Sequence, residues 1–340
     1  MSIDPPSLCA GASPAARRGL AWRAAGAFVV LILGSCAGHA SEATRAAAPP
    51  AVVPPTATTP AAPTPGQQLI DEVTHALLRA DLTAAAAIVE RARQVSPTSP
   101  HASAQLIAYF DATVHAYRGD YAGAAKVMYD FLLSSPTSEG AFAFHDAMIA
   151  LRTANGDVVG ALVECEEMVK AGTLGTWRPS DGDRMTLVRL KEHWHRAYLL
   201  RLLAQTRVGP ERAAFLAYAE SARQQYAALA TPLGGLGDSI AVLDAYFAFF
   251  DGDRARMRDA ARRVDIAQDD DIEDLYLVQL ALDGAGDADA AAAVRTRMTT
   301  QTSATVLTPV FLGWLRSDEA AANGQPPRFS PRHPTGTRSN

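Results

Sequence analysis

Apolar residues return every three or four positions along most of the chain between Gln67 and Ser317, the period of a helix with one buried side. The first such stretch carries Leu69, Ile70, Val73, Ala76 and Leu77 and breaks at Ala80-Asp81. The next carries Leu82, Ala85, Ala86, Ile88, Val89 and Ala92 and stops at Ser96-Pro97. The same order then recurs. Leu106 to Tyr117 leads to a break at Gly119-Asp120-Tyr121, followed by Ala124, Ala125, Met128, Phe131, Leu132 and a closing Pro136. In both units 17 positions separate the break from the proline. A third unit turns at Gly156-Asp157-Val158 and runs through Ala161, Leu162, Cys165 and Met168 without a proline. Later turns fall at Gly252-Asp253 and Gly286-Asp287, 34 positions apart, whereas the earlier turns are spaced by 39 and 37. No convincing two-residue alternation appears, so the pattern predicts an all-α chain of antiparallel helix pairs.

The middle departs from this rhythm. A long helix is predicted over Met185 to Thr206, with a partner over Pro210 to Ala230 after Val208-Gly209. Gly172 to Asp183 forms the longest predicted loop of the folded part, and Thr231 to Gly237 a second. Thr308-Pro309 looks like an N-cap followed by a first-turn proline. The short helix behind it carries Val310, Phe311, Trp314 and Leu315 and is expected to cap the open end of the stack. Residues 318–340, rich in proline and arginine, read as a disordered tail.

The unit from Gly119 to Pro136 resembles the tetratricopeptide repeat. That pattern places a Gly/Asp-type turn, a large residue (Tyr121), a packing alanine (Ala124), further large residues (Met128, Phe131) and a closing proline in this order. No Trp-x-x-Leu-Gly signature opens the first helices, but the 34-residue spacing is the length of the family's repeat. The resemblance spans roughly residues 67–302. It implies a right-handed helical-hairpin solenoid of about six pairs plus the C-terminal capping helix. Each pair has an apolar face that only a neighbouring pair can bury. It also implies that the first helix of each pair lines a concave groove. Carried over from the turns, that register places Tyr109, Thr113 and Tyr117 there, then Asp146 and Thr153, then Tyr246, Phe249 and Phe250, then Tyr276 and Asp283. For Phe249 and Phe250, packing against the next repeat is the competing reading. Tyr109, Thr113, Tyr117, Asp146, Tyr246 and Tyr276 are the candidate partner-binding residues, since aromatic side chains with a polar rim suit an extended peptide or a helix.

The N-terminus changes where such a domain would sit. Arg17, Arg18 and Arg23 precede an apolar stretch, Ala24 to Leu33, that is about half the ~20 residues needed to span a bilayer and suits a signal-peptide core. Leu33-Gly34-Ser35-Cys36 resembles a bacterial lipobox. The resemblance implies that residues 1–35 are removed and that Cys36 carries a lipid. An ordinary secretory cut near Gly38-His39-Ala40 is the alternative. Ala37 stands where an aspartate marks inner-membrane retention in such lipoproteins, which implies the periplasmic side of the outer membrane. Residues 36–66, with five groups of proline among Ala, Thr and Val, read as a tether reaching several tens of Å at ~3.1 Å per residue.

Charge and chemistry narrow the function. The formal net charge is −5, and loss of three arginines and one aspartate with the signal brings it near −7. Such a charge argues against a nucleic-acid partner. Of three cysteines, Cys9 goes with the signal and Cys36 to lipid, leaving Cys165 alone and no intramolecular disulfide. Glu192-His193-Trp194-His195 offers two histidines about 200° apart on a helix, which cannot share one metal. A hydrogen-bonded histidine beside a packed tryptophan is the expected reading. Asp269 to Asp274 lacks the glycine and closing glutamate of a calcium loop and is expected to cap a helix. No motif for a nucleophile, phosphate, metal or cofactor stands out, so neither an enzyme nor a cofactor is expected. In layout the chain resembles pilot and assembly-factor lipoproteins that carry such repeats. This implies an adaptor that binds an envelope protein in assembly, secretion or polymer export. The alternative is a solenoid that closes on a small ligand or glycan, using the Trp177 loop and the Trp194 helix.

Overall fold

The computed structural model of the protein describes residues 65–95, 104–136, 140–174, 181–234, 236–267, 269, 271–300 and 304–336. Cys36, the apolar segment before it, the tether up to residue 64, His101 and Trp177 lie outside the described residues.

Thirteen helices and no strand are present among the described residues. In chain order they are α1 (Pro65–Leu78), α2 (Leu82–Val95), α3 (Ala104–Tyr117), α4 (Tyr121–Ser134), α5 (Ala141–Ala154), α6 (Val158–Leu174) and α7 (Asp181–Ala204). There follow α8 (Gly209–Ala230), α9 (Gly237–Asp251), α10 (Arg254–Ala261), α11 (Ile272–Ala285), α12 (Ala288–Thr299) and α13 (Thr308–Ala322). Each of the first twelve packs on its chain neighbour, as in a helical repeat, giving six consecutive pairs and one further helix.

Turn chemistry explains where the helices stop. Gly119, Gly156, Gly252 and Gly286 all adopt the left-handed backbone, with φ between 71° and 79°, a region glycine enters without a Cβ penalty. At the first turn the same conformation falls to Ala80, with φ of 57°. The aspartate that follows caps the next helix in four of the five turns. Asp81, Asp120, Asp157 and Asp253 accept the backbone N–H three residues on at 2.8–3.0 Å, satisfying a donor that a helix leaves free at its start. Asp287 makes no such bond.

The small positions of the pattern are the close-packed ones. Ala85, Ala124, Ala161 and Ala291 have no exposed surface, so neighbouring helices meet there without a larger side chain between them. The long pair α7–α8 spans the predicted irregular middle, α7 starting four residues and α8 one residue earlier than expected.

α13 departs most from expectation. It does not cap an open end. It lies against α11, α5 and α3, the first helices of three different pairs, while its sequence neighbour α12 takes little part. For one helix to touch both α3 and α11, the array must curl until its first helices face one another. α13 occupies that inner face, with Val310, Phe311, Trp314 and Leu315 buried. Thr308 is its first residue rather than its cap, and Leu307 precedes it without a side-chain bond. Residues 323–336, expected as part of a disordered tail, continue back over the stack. Phe329 and Ser330 are buried, Ser317 Oγ donates to Arg328 O at 2.9 Å, and Arg332 pairs with Asp283 at 3.3 Å. Proline and arginine signalled a lack of helix, which an extended segment satisfies equally well when it has a surface to follow.

Candidate functional site

The inner face is where the predicted site residues lead. Tyr109, Thr113 and Tyr117 are four apart on α3 and therefore share a side. Tyr109 and Thr113 are buried, Tyr117 partly so. Tyr246 on α9 and Tyr276 on α11 are fully buried, and Asp146 on α5 is largely covered. The expectation of an open groove lined by these residues is corrected on two counts. Thr113 and Tyr246 are spent inside the array: Thr113 Oγ1 donates to Tyr109 O at 2.8 Å, and Tyr246 Oη donates to Tyr198 O at 3.3 Å. Tyr109, Tyr117 and Tyr276 do face the inner side, but α13 and its leading turn already cover them. Phe250 stacks edge-on to Tyr246 at 4.9 Å and Phe249 lies close to Gly284 of α11, which is the packing reading of that pair.

Side chains from α3 and α4 grip the start of α13. Val306 N donates to Tyr109 Oη at 3.4 Å, Tyr117 hydrogen-bonds with Thr308, and Tyr121 Oη donates to Pro309 O at 3.1 Å. Burial raises the Tyr109 and Tyr117 hydroxyls to about 12, so both stay protonated near neutral pH. At the other end Tyr276 forms an aromatic cluster with Phe311 and Trp314, with centroids 5.9 and 5.5 Å away. Phe329 closes over Trp314 at 6.4 Å. Tyr276 Oη donates to Asp318 Oδ2 at 2.9 Å and Ser330 Oγ to Asp318 Oδ1 at 2.6 Å. Arg332 and His333 stand 3.9 and 3.8 Å from the same carboxyl. Asp318 is 5% exposed. Burial raises its pKa above the usual carboxylate value even though four donors face it.

A second polar centre joins α5, α7 and the entry of α11. Lys191 and His195, four apart on α7, both face Asp146: His195 Nε2 lies 2.5 Å from Asp146 Oδ1 and Lys191 Nζ 3.2 Å from Oδ2. Burial alone would raise the Asp146 carboxyl, but Lys191 and His195 outweigh it and hold it well below the usual range. Burial disfavours the Lys191 ammonium, yet Asp146, Asp271 and Glu273 together raise its pKa. Asp271 caps α11 through Glu273 N at 2.9 Å. Burial and the neighbouring Asp271 push Glu273 up to about 8, and Asp274 is raised further by burial and the same acidic neighbours. Trp194 donates to Glu273. The centre is thus an ammonium among carboxyls, some of which keep their protons near neutral pH.

The remaining motifs resolve simply. His195 is buried and bonded to Asp146, and Trp194 packs edge-on to Tyr226 at 5.5 Å. Cys165 is buried, its Sγ 3.8 Å from Glu192 O, and burial pushes its thiol up to about 12. Among the described residues no group of three His, Cys, Asp or Glu side chains is arranged to hold a metal, and no helix is long and apolar enough to cross a membrane. An open recess of about 380 Å³ lies between α2, α3 and α4, lined by Arg93, Ile107, Asp111 and Phe131 among others, away from both polar centres.

Comparison of the chain with family profiles, characterised proteins and solved structures returns no match.

The polar residues that matter most on the inner face were not singled out in the sequence. Lys191 and Asp318 each carried a readable signal. Lys191 sits one turn before His195 beside the buried Leu190 and Trp194. Asp318 continues the buried stripe of Phe311, Trp314 and Leu315 by one turn. A charge on an apolar stripe marks a buried partner elsewhere.

Proposed function

We propose that this chain is a lipid-anchored adaptor of the bacterial envelope whose tetratricopeptide-like helical domain binds a protein partner. In this reading Cys36 carries the lipid, residues 36–66 hold the domain off the periplasmic side of the outer membrane, and the domain serves assembly, secretion or export. The observation that carries the reading is that the inner face holds a helix: aromatic and apolar side chains of α13 fill it, and tyrosine hydroxyls fix its start. Surfaces that accept an amphipathic helix in this way are a common mode of protein recognition. A second surface supports the same reading. Tyr218 on α8 and Val208 just before it are exposed, 64% and 84%, and the eight-residue α10 makes no extended packing along α8. The ligand or glycan alternative loses one of its two arms, because the Trp194 indole is buried against Tyr226.

The test is photocrosslinking in living cells from two positions, 117 on the inner face and 218 on α8. A dominant adduct with one envelope protein at either position is the expected result. Absence of intermolecular adducts at both, with Cys36 lipidated and the domain folded, refutes the adaptor.

A further inference from the structure

We propose that residues 304–336 are an intramolecular ligand latched by Asp318. In their absence the inner face takes up a partner helix of the same order: two adjacent apolar residues, an aromatic-apolar pair one turn on, and an acid one turn beyond. The inference rests on the adaptor reading and names the partner chemistry of the same surface.

Four observations carry it. First, α13 stands outside the repeat. It belongs to no helix pair and touches the first helices of pairs far apart in sequence, as a bound helix would. Second, its contacts divide into two kinds. The apolar stripe of Val310, Phe311, Trp314 and Leu315 reads a side-chain pattern, whereas Tyr109 and Tyr121 bond to the backbone at Val306 N and Pro309 O. Backbone contacts do not depend on which helix supplies them.

Third, α13 has little of its own to hold it helical. Its end bonds are a long one from Thr308 N to Thr305 Oγ1 at 3.3 Å and one from Asn323 Nδ2 to Glu319 O at 3.0 Å, and it has no acid in its first turn and no base in its last. At 15 residues it is near the length at which an isolated helix is marginal in water, so its order follows from docking. Fourth, the end of the stripe is an aspartate where a permanent plug would be better served by an apolar residue. A buried carboxylate adds little net stability over a well-packed hydrophobe, and its best-attested use is to set register or a switch. Here Asp318 gathers Tyr276 from the array and Ser330, Arg332 and His333 from the chain's own last segment. The same carboxyl therefore ties both halves of the C-terminal segment to α11.

The experiment uses the full chain and two variants, Asp318→Asn and the milder Ser330→Ala, with a fluorescein-labelled peptide of residues 304–322 as the probe. Backbone hydrogen exchange is read at α13, at α11 and at α9. Amides of α13 should exchange at least tenfold faster than the slowest of α11 in the wild-type chain, and faster still in both variants, with α9 unchanged. The peptide should bind the Asp318→Asn chain at least tenfold more tightly than the wild type, and a peptide carrying the same substitution should lose that gain. The proposal is overturned if α13 exchanges together with the slowest amides of α11 in all three chains, or if the peptide fails to bind the Asp318→Asn chain. An envelope adduct at position 218 combined with either of those results would leave the adaptor standing and remove the latch alone.

Discussion

Replacing Glu273 by Gln should stabilise the fold near neutral pH and leave it almost unchanged in mild acid. Glu273 sits at the entry of α11, with burial and Asp271 pushing its carboxyl from the ordinary 4.5 to about 8. Between those values the folded chain keeps a proton that the unfolded chain releases. The favourable contribution is therefore fully present below 4.5 and lost as pH rises through 8. At pH 7 the gap from the unfolded value is ~2.5 pH units, or about 3 kcal/mol at 1.36 kcal/mol per unit. Part of Glu273 still reaches solvent, which lowers the working figure to about 2 kcal/mol. Gln mimics the protonated acid, retaining an oxygen to accept from Trp194 and an N–H to donate, but it never ionises. It also relieves Asp274, whose raised carboxyl Glu273 helps to crowd. Asp146 works in the opposite sense, its depressed pKa giving stability that is lost only in stronger acid, so it is silent between pH 5 and 8. Urea unfolding followed by far-ultraviolet circular dichroism at pH 5, 6, 7 and 8 measures the effect. The variant should gain on the wild type steadily as pH rises. A constant difference across that range would refute the reasoning, because it would mean that Glu273 gives up its proton equally in both states.

Three further outcomes are expected. Asp146→Asn should cost about 3–5 kcal/mol, because Lys191 and His195 lose the carboxylate that offsets their burial; thermal unfolding at pH 7 reads the loss. Ala80→Gly should stabilise by about 1 kcal/mol, since Ala80 bears a left-handed backbone that glycine adopts freely, and Gly119→Ala should cost a similar amount although a Cβ there meets nothing within 4 Å; paired denaturation midpoints test both signs. Ala124→Leu should cost about 1–3 kcal/mol by forcing α4 away from its neighbours at a position with no exposed surface, and a midpoint equal to the wild type would show a looser stack than the one described.

Much of the local structure was legible in the residue order because its causes are local. A Gly-Asp pair followed by a helical period specifies a left-handed turn and a capped start from a few neighbouring residues, and the backbone at Gly119, Gly156, Gly252 and Gly286 follows it. Ala80, with Asp81 behind it, shows that the turn is set by the surrounding pattern even when glycine is missing. The packing alanines at 85, 124, 161 and 291 were readable for the same reason, as small residues repeating on one side of a helix. Tyr109, Tyr117 and Tyr276 lie on the side of the first helices that meets α13 and its leading turn.

What covers that side could be decided only in three dimensions. A periodic pattern states that a face is apolar, but it does not say which of several apolar faces will meet it. The answer depends on small rotations between successive pairs, which accumulate over the array until α3 and α11 reach the same helix. Asp146, Lys191 and Glu273 are far apart in sequence and acquire their shifted protonation only when α5, α7 and α11 converge. The residue order of this protein determined its helices, their turns and the sides they would bury. Tertiary closure alone made the chain's own C-terminal segment the occupant of the inner face, because only there do its stripe and its aspartate find both an apolar wall and donors for a buried charge.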